Sequence, residues 1–399
     1  MSLTSGRIPG SRKAGEGMDE VPVRFVGLDQ TNSAVFFGDR LMMKMFRKIE
    51  AGQNPEVEVG RFLTEKAHFP HTPATRGLLL AEMDGESSAL AFFQEYVPSQ
   101  ANAFDHIFSN ALLTLETVLA RSADLGPPPT PRHLLDVTEA ELGRGREFMG
   151  PLLADAKLLG QRTGEMHLAL ASDPGHPVFG TETVSTLQMR SVYQSIRSTV
   201  KTSIAVLKRR RSQLHEADAA QVDELIEAEN TLLDQIKAVM SEKITIDRIR
   251  IHGDYHLGQV LYTGKDFVII DFEGEPQRPL SERRLKRLAL RDVAGMVRSF
   301  HYALLMASRQ VDESGWDDGS RQHLVDWTHT IHRWLAAEFV NAYRSAVEGS
   351  PIVPTDDTHF RELLDVLIIE KAAYELEYEV NNRPDFVSVP LSGILNTLR

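Results

Sequence analysis

The sequence predicts an α+β fold of two lobes, a small β-rich N-terminal lobe at residues 21–97 and a large, mainly helical lobe at residues 98–399. Three observations predict it. Short apolar runs with turn signals between them fill the first segment, and apolar residues recur at helical spacing through most of the second. One short hairpin pattern interrupts the helical part. This layout favours a cleft between the lobes as the ligand site, while residues 1–20 are expected to form a flexible leader.

The first lobe is predicted to follow the order β-β-β-α-β-β. Three apolar runs, 21–27, 34–37 and 41–46, predict strands, and Gly38-Asp39 between the last two is a hairpin signal. Asn54 as N-cap and Pro55 at the first helical position predict a helix through about residue 66. A second hairpin, at residues 78–83 and 89–97, is predicted around Asp84-Gly85.

The second lobe is predicted to consist of helices with one inserted hairpin. The Gly/Pro-rich segment 126–131 is predicted to be a loop. The inserted hairpin is placed at residues 259–262 and 267–272. The predicted helical segments are 103–123, 148–171, 183–242, 292–308, 316–347 and 358–380.

Composition excludes several classes of function. Lys and Arg number 44 against 56 Asp and Glu, and the net charge of −12 argues against nucleic acid or an anionic membrane as a partner. The absence of cysteine excludes disulfides, Cys-ligated zinc and Cys nucleophiles, and it favours a cytoplasmic location. No apolar run reaches the roughly 20 residues that span a bilayer, and no signal peptide is evident at the start.

The most informative segment places two acidic side chains and an amide in and after a glycine-punctuated loop. Asp254 and Gln259 lie in this loop, and Asp271 ends an apolar run twelve residues after Gln259. Phosphoryl transfer needs a carboxylate to orient or deprotonate the acceptor hydroxyl, and oxygen ligands to hold Mg²⁺ on ATP. The kinase loop H-R-D-x-x-x-x-N followed by D-F-G has the same spacing. We therefore predict a bilobal protein-kinase-like fold with Asp254 as base and with Gln259 and Asp271 on the metal.

Two alternatives apply to this loop. The carboxylates can simply cap turns in a strand–turn–strand unit, although the whole set in register disfavours that interpretation. His252 and His256 have the H-x-x-x-H spacing of a metal-binding pair. Such a pair needs a helix, and Gly253 and Gly258 indicate a loop, so structural loop histidines are favoured over metal ligands.

The first lobe is expected to supply the nucleotide site. Lys44, at the middle of the third strand, has the position of a phosphate-binding lysine. A lone strand lysine usually faces solvent, but the Asp254/Asp271 pair downstream favours the phosphate role. Its ion-pair partner should come from the next helix, and Glu58 is favoured over Glu56.

Two further segments are assigned to ATP. The loop at residues 27–33 should cover the phosphates, with Asn32 and Ser33 as hydrogen-bond donors. Residues 94–98 lie where an adenine-binding hinge belongs, with Glu95 and Val97 contributing backbone groups. The basic segment 281–286 is interpreted either as approaching the phosphates or as forming surface ion pairs.

Motifs throughout the chain resemble the maltokinase family, whose members occur alone or fused behind trehalose synthase. That family is related to the aminoglycoside phosphotransferase-like kinases. The most specific motifs are the loop at 252–259, with Gln in place of Asn, and D-F-E-G-E-P at 271–276. The resemblance covers about residues 21–399. Further matches lie at residues 30–41, 54–58, 164–169, 282–286, 290–296, 370–379 and 382–384.

The resemblance implies ATP- and Mg²⁺-dependent phosphorylation of maltose to maltose 1-phosphate for α-glucan synthesis. It also implies a fused or associated trehalose synthase as a partner. It places Glu273 on the metal or the sugar and groups His256 with Asp254 at the acceptor. The run containing Tyr374, Tyr378 and Arg383 is similar to the family's sugar-contacting end, although such tyrosines can also be helix-packing residues.

One departure and two alternatives accompany the resemblance. Members usually carry an N-terminal cap, whereas about twenty residues precede the first predicted strand here, as in an excised domain or a shortened branch. One alternative is a related kinase with another acceptor, such as an amino sugar, which would need a dense acidic lining. The other is a non-catalytic glycan-binding or regulatory module, which loss of Lys44, Asp254 or Asp271 would favour. All three are present.

Overall fold

A computed structural model describes residues 2–7, 20–26, 32–83, 86–312 and 317–398. The chain forms two compact units. Unit one comprises Met1–Ala103, Glu165–Gly180 and Arg250–Lys286, and unit two comprises Phe104–Gly164, Thr181–Ile249 and Arg287–Arg399. Most of the predicted phosphate loop, residues 27–31, and the predicted turn at Asp84-Gly85 lie outside the described residues.

Unit one contains a six-stranded antiparallel sheet in the order β1-β5-β6-β4-β3-β2. The three predicted N-terminal strands and both strands of the second hairpin are confirmed, and Gly38 adopts a φ of +53° in the predicted first turn. The strands are β1 (Ser2–Arg7), β2 (Val23–Val26), β3 (Asn32–Phe37), β4 (Leu41–Phe46), β5 (Thr75–Met83) and β6 (Glu86–Glu95).

Residues 2–7 differ from the expectation of a flexible leader over residues 1–20. They form β1, which pairs with β5 in antiparallel register, with Leu3 opposite Ala81. An edge strand needs only backbone N–H and C=O groups from its neighbour, so a segment with few apolar residues can occupy that position. Residues 8–19 of the expected leader lie outside the described part of the chain.

Helix α1 (Pro55–Glu65) begins where the sequence predicts. The Asn54 side chain accepts hydrogen bonds from the backbone N–H groups of Glu56 and Val57 at 2.9 and 3.2 Å. Val57 packs in a buried cluster that includes Phe46 and Phe92, whose rings stack 5.8 Å apart. Because alternate strand residues share a face, this packing holds α1 against the side of β4 that also carries residue 44.

A second, three-stranded sheet in unit one brings distant segments together. It consists of β7 (Ala101–Asn102), β10 (Val260–Tyr262) and β11 (Phe267–Ile269), with β10 in the centre. The inserted hairpin predicted from the sequence is thereby confirmed. Through this sheet and the short helix α9 (Leu280–Arg283), residues 250–286 pack in unit one, although the sequence-based division placed them in the second lobe. The lobe boundaries themselves stay a prediction.

Unit two is mainly helical, as predicted, with one small sheet of β8 (Glu182–Thr183) and β9 (Asp247–Arg248). The predicted helix at 316–347 begins at Asp318, and Trp316 lies outside the described residues. Unit one includes the first residue of helix α2 and the last residues of helix α5. The helices are α2 (Ala103–Ala120), α3 (Ser122–Leu125), α4 (Glu139–Arg146), α5 (Leu152–Leu170), α6 (Thr186–Arg210), α7 (Ala219–Glu227), α8 (Glu229–Ser241), α10 (Leu290–Asp312), α11 (Asp318–Ala346), α12 (Asp357–Asn382) and α13 (Ser388–Leu398).

The core of unit two depends on close helix contacts. Trp327 and Trp334 of α11 are fully buried. Gly160 of α5 lies so near α11 that a Cβ atom there would come within 2.1 Å of the Phe339 carbonyl oxygen. Within the described part of the chain, no helix has the length and apolar character needed to cross a membrane.

Candidate functional site

The centre of the candidate site in unit one is one ammonium group among three carboxylates. Lys44 Nζ lies 2.7 Å from Glu56 Oε2, 2.5 Å from Asp271 Oδ1 and 2.6 Å from Glu273 Oε1. Only 13% of the Lys44 side chain is exposed. Strand β4 and the segment after β11 therefore bring together three residues that the sequence analysis assigned to ATP and metal, and Lys44 does not face solvent.

The ion-pair partner predicted for Lys44 needs correction, because it is Glu56 rather than Glu58. Both residues lie in the first turns of α1, but positions two apart on a helix point about 200° apart. Packing of α1 on the sheet turns the buried Glu56 towards β4. Glu58 points elsewhere and accepts hydrogen bonds from Arg284.

Burial and charge set the protonation states in this cluster. Burial alone would lower the pKa of Lys44, but Glu56, Asp271 and Glu273 outweigh it and hold that pKa above its ordinary value. Burial alone would raise the pKa of Asp271. The charge of Lys44 outweighs this effect, with smaller contributions from His252 and Gln259, and holds that pKa below its usual range. Burial raises the pKa of Glu56, and Lys44 only partly offsets this. The site therefore holds a permanent cation beside an ionised Asp271.

The backbone around Asp271 adopts unusual conformations. Asp271 has a φ of +66°, in the left-handed region, which costs a non-glycine residue of order 1–3 kcal/mol and is typical of functional sites. Gly253 and Gly274 also have positive φ, at +86° and +71°. A Cβ atom on Gly253 would lie 3.4 Å from the Gly274 Cα atom. The loop bearing Asp254 and the segment after Asp271 thus approach each other at backbone contact.

Hydrogen bonds hold the predicted catalytic loop next to Asp271. The His252 Nε2–H group donates to the Ile270 carbonyl oxygen at 2.8 Å, and His252 Nδ1 accepts from the Asp254 backbone N–H at 3.4 Å. The Gln259 side chain donates to the Asp271 carboxylate. The structure therefore brings Gln259 to Asp271 and ties the backbone of Asp254 to the residue before Asp271.

His256 has a local structural contact. Its Nδ1 atom accepts a hydrogen bond from the Gly258 backbone N–H at 3.1 Å and so caps the short 3₁₀ turn Leu257–Gln259. With His252 on the Ile270 carbonyl, both histidines support the loop in these contacts, as the favoured interpretation held. A substrate contact by His256 stays a prediction.

Of the predicted phosphate-loop donors, Asn32 reaches the cluster. Its Nδ2 atom donates to Glu273 Oε1 at 2.5 Å. Ser33 instead accepts a hydrogen bond from Arg47 Nε through its hydroxyl oxygen, at 3.1 Å. The contribution of Asn32 and Ser33 to phosphate binding stays a prediction.

The predicted hinge follows β6 and is fixed by backbone contacts. The Glu95 N–H donates to the Ala74 carbonyl at 2.9 Å, and the Tyr96 N–H donates to the Arg40 carbonyl at 2.9 Å. The Glu95 carboxylate pairs with Arg76. These bonds hold the segment in place, while adenine recognition by Glu95 and Val97 stays a prediction.

The residues predicted to contact sugar near the C-terminus belong to unit two. Tyr374 and Tyr378 lie on α12, and Arg383 ends it. The Arg383 guanidinium lies over the Tyr378 ring, 5.4 Å from its centroid, and pairs with the buried Glu379 at 2.5 Å. Lys371 Nζ lies 5.3 Å from the centroid of the Tyr374 ring. Their sugar-contacting role stays a prediction.

The cluster offers oxygen ligands suited to a metal ion. Carboxylate oxygens of Glu56, Asp271 and Glu273 lie within 4.8 Å of one another. Mg²⁺ prefers such hard oxygen ligands, so the residues present fit the predicted metal. The predicted set of Gln259, Asp271 and Glu273 is brought together, and Glu56 joins it. No sequence signal singles out Glu56, because helical periodicity says only that Glu56 and Glu58 point in different directions.

Comparisons with known proteins identify similar kinases. No family model matches the chain. Glucosamine kinase from Streptacidiphilus jiangxiensis is 24% identical over 376 residues, which is 92% of this chain and 71% of that protein. Glucosamine kinase from Mycolicibacterium smegmatis is 23% identical over 370 residues, 92% of this chain and 77% of that protein. A solved glucosamine kinase in complex with glucosamine, ADP and inorganic phosphate has a TM-score of 0.70 at 19% identity, covering 100% of this chain and 79% of that one.

These comparisons do not support the finer parts of the resemblance, namely maltokinase membership and a trehalose synthase partner. At the coarser level they agree with a kinase-like fold. They also bear out the predicted enzyme class, an ATP-dependent phosphotransferase with an alcohol group as acceptor, and the predicted use of ATP. The chain thus has the bilobal kinase-like fold that its sequence predicts, with an N-terminal sheet and a larger helical part.

Proposed function

We propose that this protein is an ATP-dependent sugar kinase whose acceptor is an amino sugar, with glucosamine as the first candidate. The observation that carries phosphoryl transfer is the contact of Lys44 with Asp271 and Glu273, next to the loop of Asp254. The amino-sugar acceptor is supported by two glucosamine kinases that each match 92% of the chain.

The nucleotide side of the reaction uses the residues around Lys44. When bound, Mg²⁺ neutralises charge on the ATP phosphates and orients them. Asp271 and Glu273 would hold it, with Gln259 beside Asp271. Lys44, whose pKa is raised by its carboxylate neighbours, supplies a lasting positive charge for phosphate oxygens. Glu56 orients the Lys44 ammonium from α1 through a 2.7 Å contact.

The acceptor side uses Asp254. Its carboxylate orients the sugar hydroxyl and takes the proton as the hydroxyl oxygen bonds to the γ-phosphorus and the bond from that phosphorus to the β,γ-bridging oxygen breaks. The products are a sugar phosphate and ADP. His252 supports this geometry because its ring joins the Asp254 backbone to Ile270, one residue before Asp271.

Charge is consistent with a cationic acceptor. The chain carries a net charge of −12, and an amino sugar is protonated at its amino group at neutral pH. Opposite charge raises the local concentration of a ligand near the protein surface. Maltose, the acceptor implied by the motifs at 252–259 and 271–276, has no charge and gains nothing from this field.

A substrate panel tests the proposal. ATP consumption with Mg²⁺ is measured on glucosamine, N-acetylglucosamine, glucose, maltose and an aminoglycoside, and the phosphorylated product is identified by phosphorus NMR. We expect glucosamine to have the highest kcat/KM and N-acetylation to abolish most of it. Preferred turnover of maltose would support the maltokinase resemblance and refute the amino-sugar acceptor. A folded protein without turnover of any sugar would refute the kinase.

A further inference from the structure

Helix α1 carries two acidic contacts on different faces, one made by the buried Glu56 and one by the partly buried Glu58. Glu56 contacts Lys44, as described above. Glu58 accepts two hydrogen bonds from Arg284, from Nε at 3.0 Å and from Nη2 at 2.6 Å. Arg250 Nη2 also lies 3.5 Å from Glu58 Oε2. A two-point contact between a guanidinium and a carboxylate fixes orientation as well as distance, so Glu58 fixes the rotation of α1 about its axis.

Arg250 depends on Glu58 for charge compensation. Its side chain is only 2% exposed, and its Nε and Nη1 atoms have no hydrogen-bond partner among the described residues. Burial lowers the pKa of Arg250 to about 10, although the Glu58 carboxylate opposes that shift. A buried guanidinium without its carboxylate is strongly destabilising. Glu58 is thus held by one fully buried and one partly exposed arginine.

The two arginines come from the segments that carry the predicted catalytic residues. Arg250 lies two residues before His252, which bonds to the backbone of Asp254. Arg284 follows α9, beyond the segment of Asp271 and Glu273. Glu58 therefore links α1, which presents Glu56 to Lys44, to the chain on both sides of the candidate site.

We propose that Glu58, Arg284 and Arg250 form a positioning cluster that holds α1 so that Glu56 reaches Lys44. The cluster rests on the proposed function, because it prepares Lys44 for nucleotide phosphates. None of its members contacts the Lys44 ammonium, so they are positioning residues rather than catalytic ones. Without the two-point contact, α1 shifts and Glu56 no longer contacts Lys44. The Lys44 ammonium then keeps only its contacts with Asp271 and Glu273.

The test measures binding of Mg·ADP to the full chain by titration calorimetry, because this readout needs no sugar. Arg284→Gln removes the two-point contact but leaves the pair of Glu58 with Arg250. We expect Mg·ADP binding to weaken between about 10- and 100-fold, which corresponds to about 1.4–2.7 kcal/mol of binding free energy. Arg284→Lys, which preserves charge without the planar fork, is expected to lie between Arg284→Gln and the unaltered protein.

The matched control is Glu65→Gln on the same helix, which breaks the exposed pair of Arg61 with Glu65 at 3.2 Å. It should leave Mg·ADP binding unchanged. In an active enzyme, Arg284→Gln should raise KM for ATP and leave KM for the sugar within about twofold, since the acceptor side is untouched.

Three outcomes overturn the proposal. The first is a folded Arg284→Gln that binds Mg·ADP as tightly as the unaltered protein, and the second is a folded Arg284→Gln that binds it as tightly as Glu65→Gln. The third outcome applies if Arg284→Gln does not fold. In that case, an Arg284→Lys variant that binds Mg·ADP as tightly as the unaltered protein overturns the proposal. If the unaltered protein binds Mg·ADP but phosphorylates no amino sugar, only the proposed amino-sugar acceptor is refuted. The comparison of Mg·ADP binding among the variants still tests the positioning role.

Discussion

Both units bury ionisable side chains, but with opposite results for charge. In unit one, Lys44 stays charged among Glu56, Asp271 and Glu273, because its neighbours outweigh the cost of burial. In unit two, the rings of the buried His301 and the partly buried His332 lie 4.6 Å apart, and desolvation holds the pKa of each below its ordinary value. The first arrangement preserves a cation that phosphates need, whereas the second suppresses charge inside a helical core.

The surroundings of the histidines in unit two explain why these side chains stay uncharged. His301 lies on α10, and His329 and His332 lie on α11. Arg298 donates to His301 Nδ1 at 2.6 Å and also pairs with Glu375, so a fixed cation already occupies the neighbourhood. Among the described residues, His301 Nε2 and His329 Nδ1 have no hydrogen-bond partner. Protonation there would add a charge without an acceptor.

The largest effect is expected at Asp254 of unit one, if its carboxylate is the base. Asp254→Asn should lower kcat by about 10²- to 10⁴-fold, the usual contribution of a general base. Mg·ADP affinity should change little, because the substitution preserves the loop backbone. Steady-state kinetics and calorimetry on the same preparation check both quantities, and near-normal kcat would contradict the assignment.

A slightly smaller loss of catalytic efficiency is expected when the Lys44 ammonium of unit one is removed. Lys44→Met should lower kcat/KM for ATP by about 10²- to 10³-fold, as for other single electrostatic contacts to the reacting group. It also leaves the three carboxylates without their ammonium, so added Mg²⁺ should raise the melting temperature of this variant more than that of the unaltered protein. Equal melting shifts would contradict a metal-binding role for the cluster.

The histidines of unit two should make stability depend on pH. Their folded pKa values lie below about 6.5, the value in an unfolded chain, and that of His332 falls to about 3. Between these values the unfolded state binds more protons, so stability is lost as pH falls from about 6.5, by at most about 1.4 kcal/mol per pH unit for each histidine. Urea unfolding between pH 5 and pH 8 measures this slope.

His332→Gln should flatten that slope, because it removes one titrating group and preserves a donor for the Val297 carbonyl. His215 is the matched control. Asp385 raises its pKa through a hydrogen bond, so its contribution has the opposite sign and is lost as pH rises. A steeper slope in His332→Gln than in His215→Gln would contradict neutral burial in unit two.

The smallest expected effect concerns packing in unit two. Gly160→Ala should lower the free energy of unfolding by about 1–3 kcal/mol, because the added methyl group meets the Phe339 carbonyl. Gly143→Ala on α4 is the control. Among the described residues, nothing outside its own helix backbone lies within 4 Å of a Cβ atom placed there, so helix propensity alone should make this variant neutral or stabilising by up to about 1 kcal/mol. If urea unfolding shows equal losses of unfolding free energy for Gly160→Ala and Gly143→Ala, the tight contact of Gly160 with α11 is contradicted.

Much of unit one could be predicted from the sequence because the signals are local. Alternating apolar runs predict β3, β4 and the second hairpin, and Asn54-Pro55 predicts the start of α1. The spacing of Asp254, Gln259 and Asp271 predicts their association through an established motif. The edge strand β1 could not be predicted, since it depends on backbone groups that β5 offers.

The sequence by itself determined most of the strands and helices, the kinase-like order of motifs and the charged groups Lys44, Asp271 and Glu273 at the candidate site. Only the tertiary structure decided that Glu56, not Glu58, meets Lys44. It also decided that Glu58 is held by Arg284 and Arg250, residues far away in the chain. The physical reason is that helical periodicity sets angles between side chains, whereas the packing of α1 on the sheet decides which side chain faces which partner.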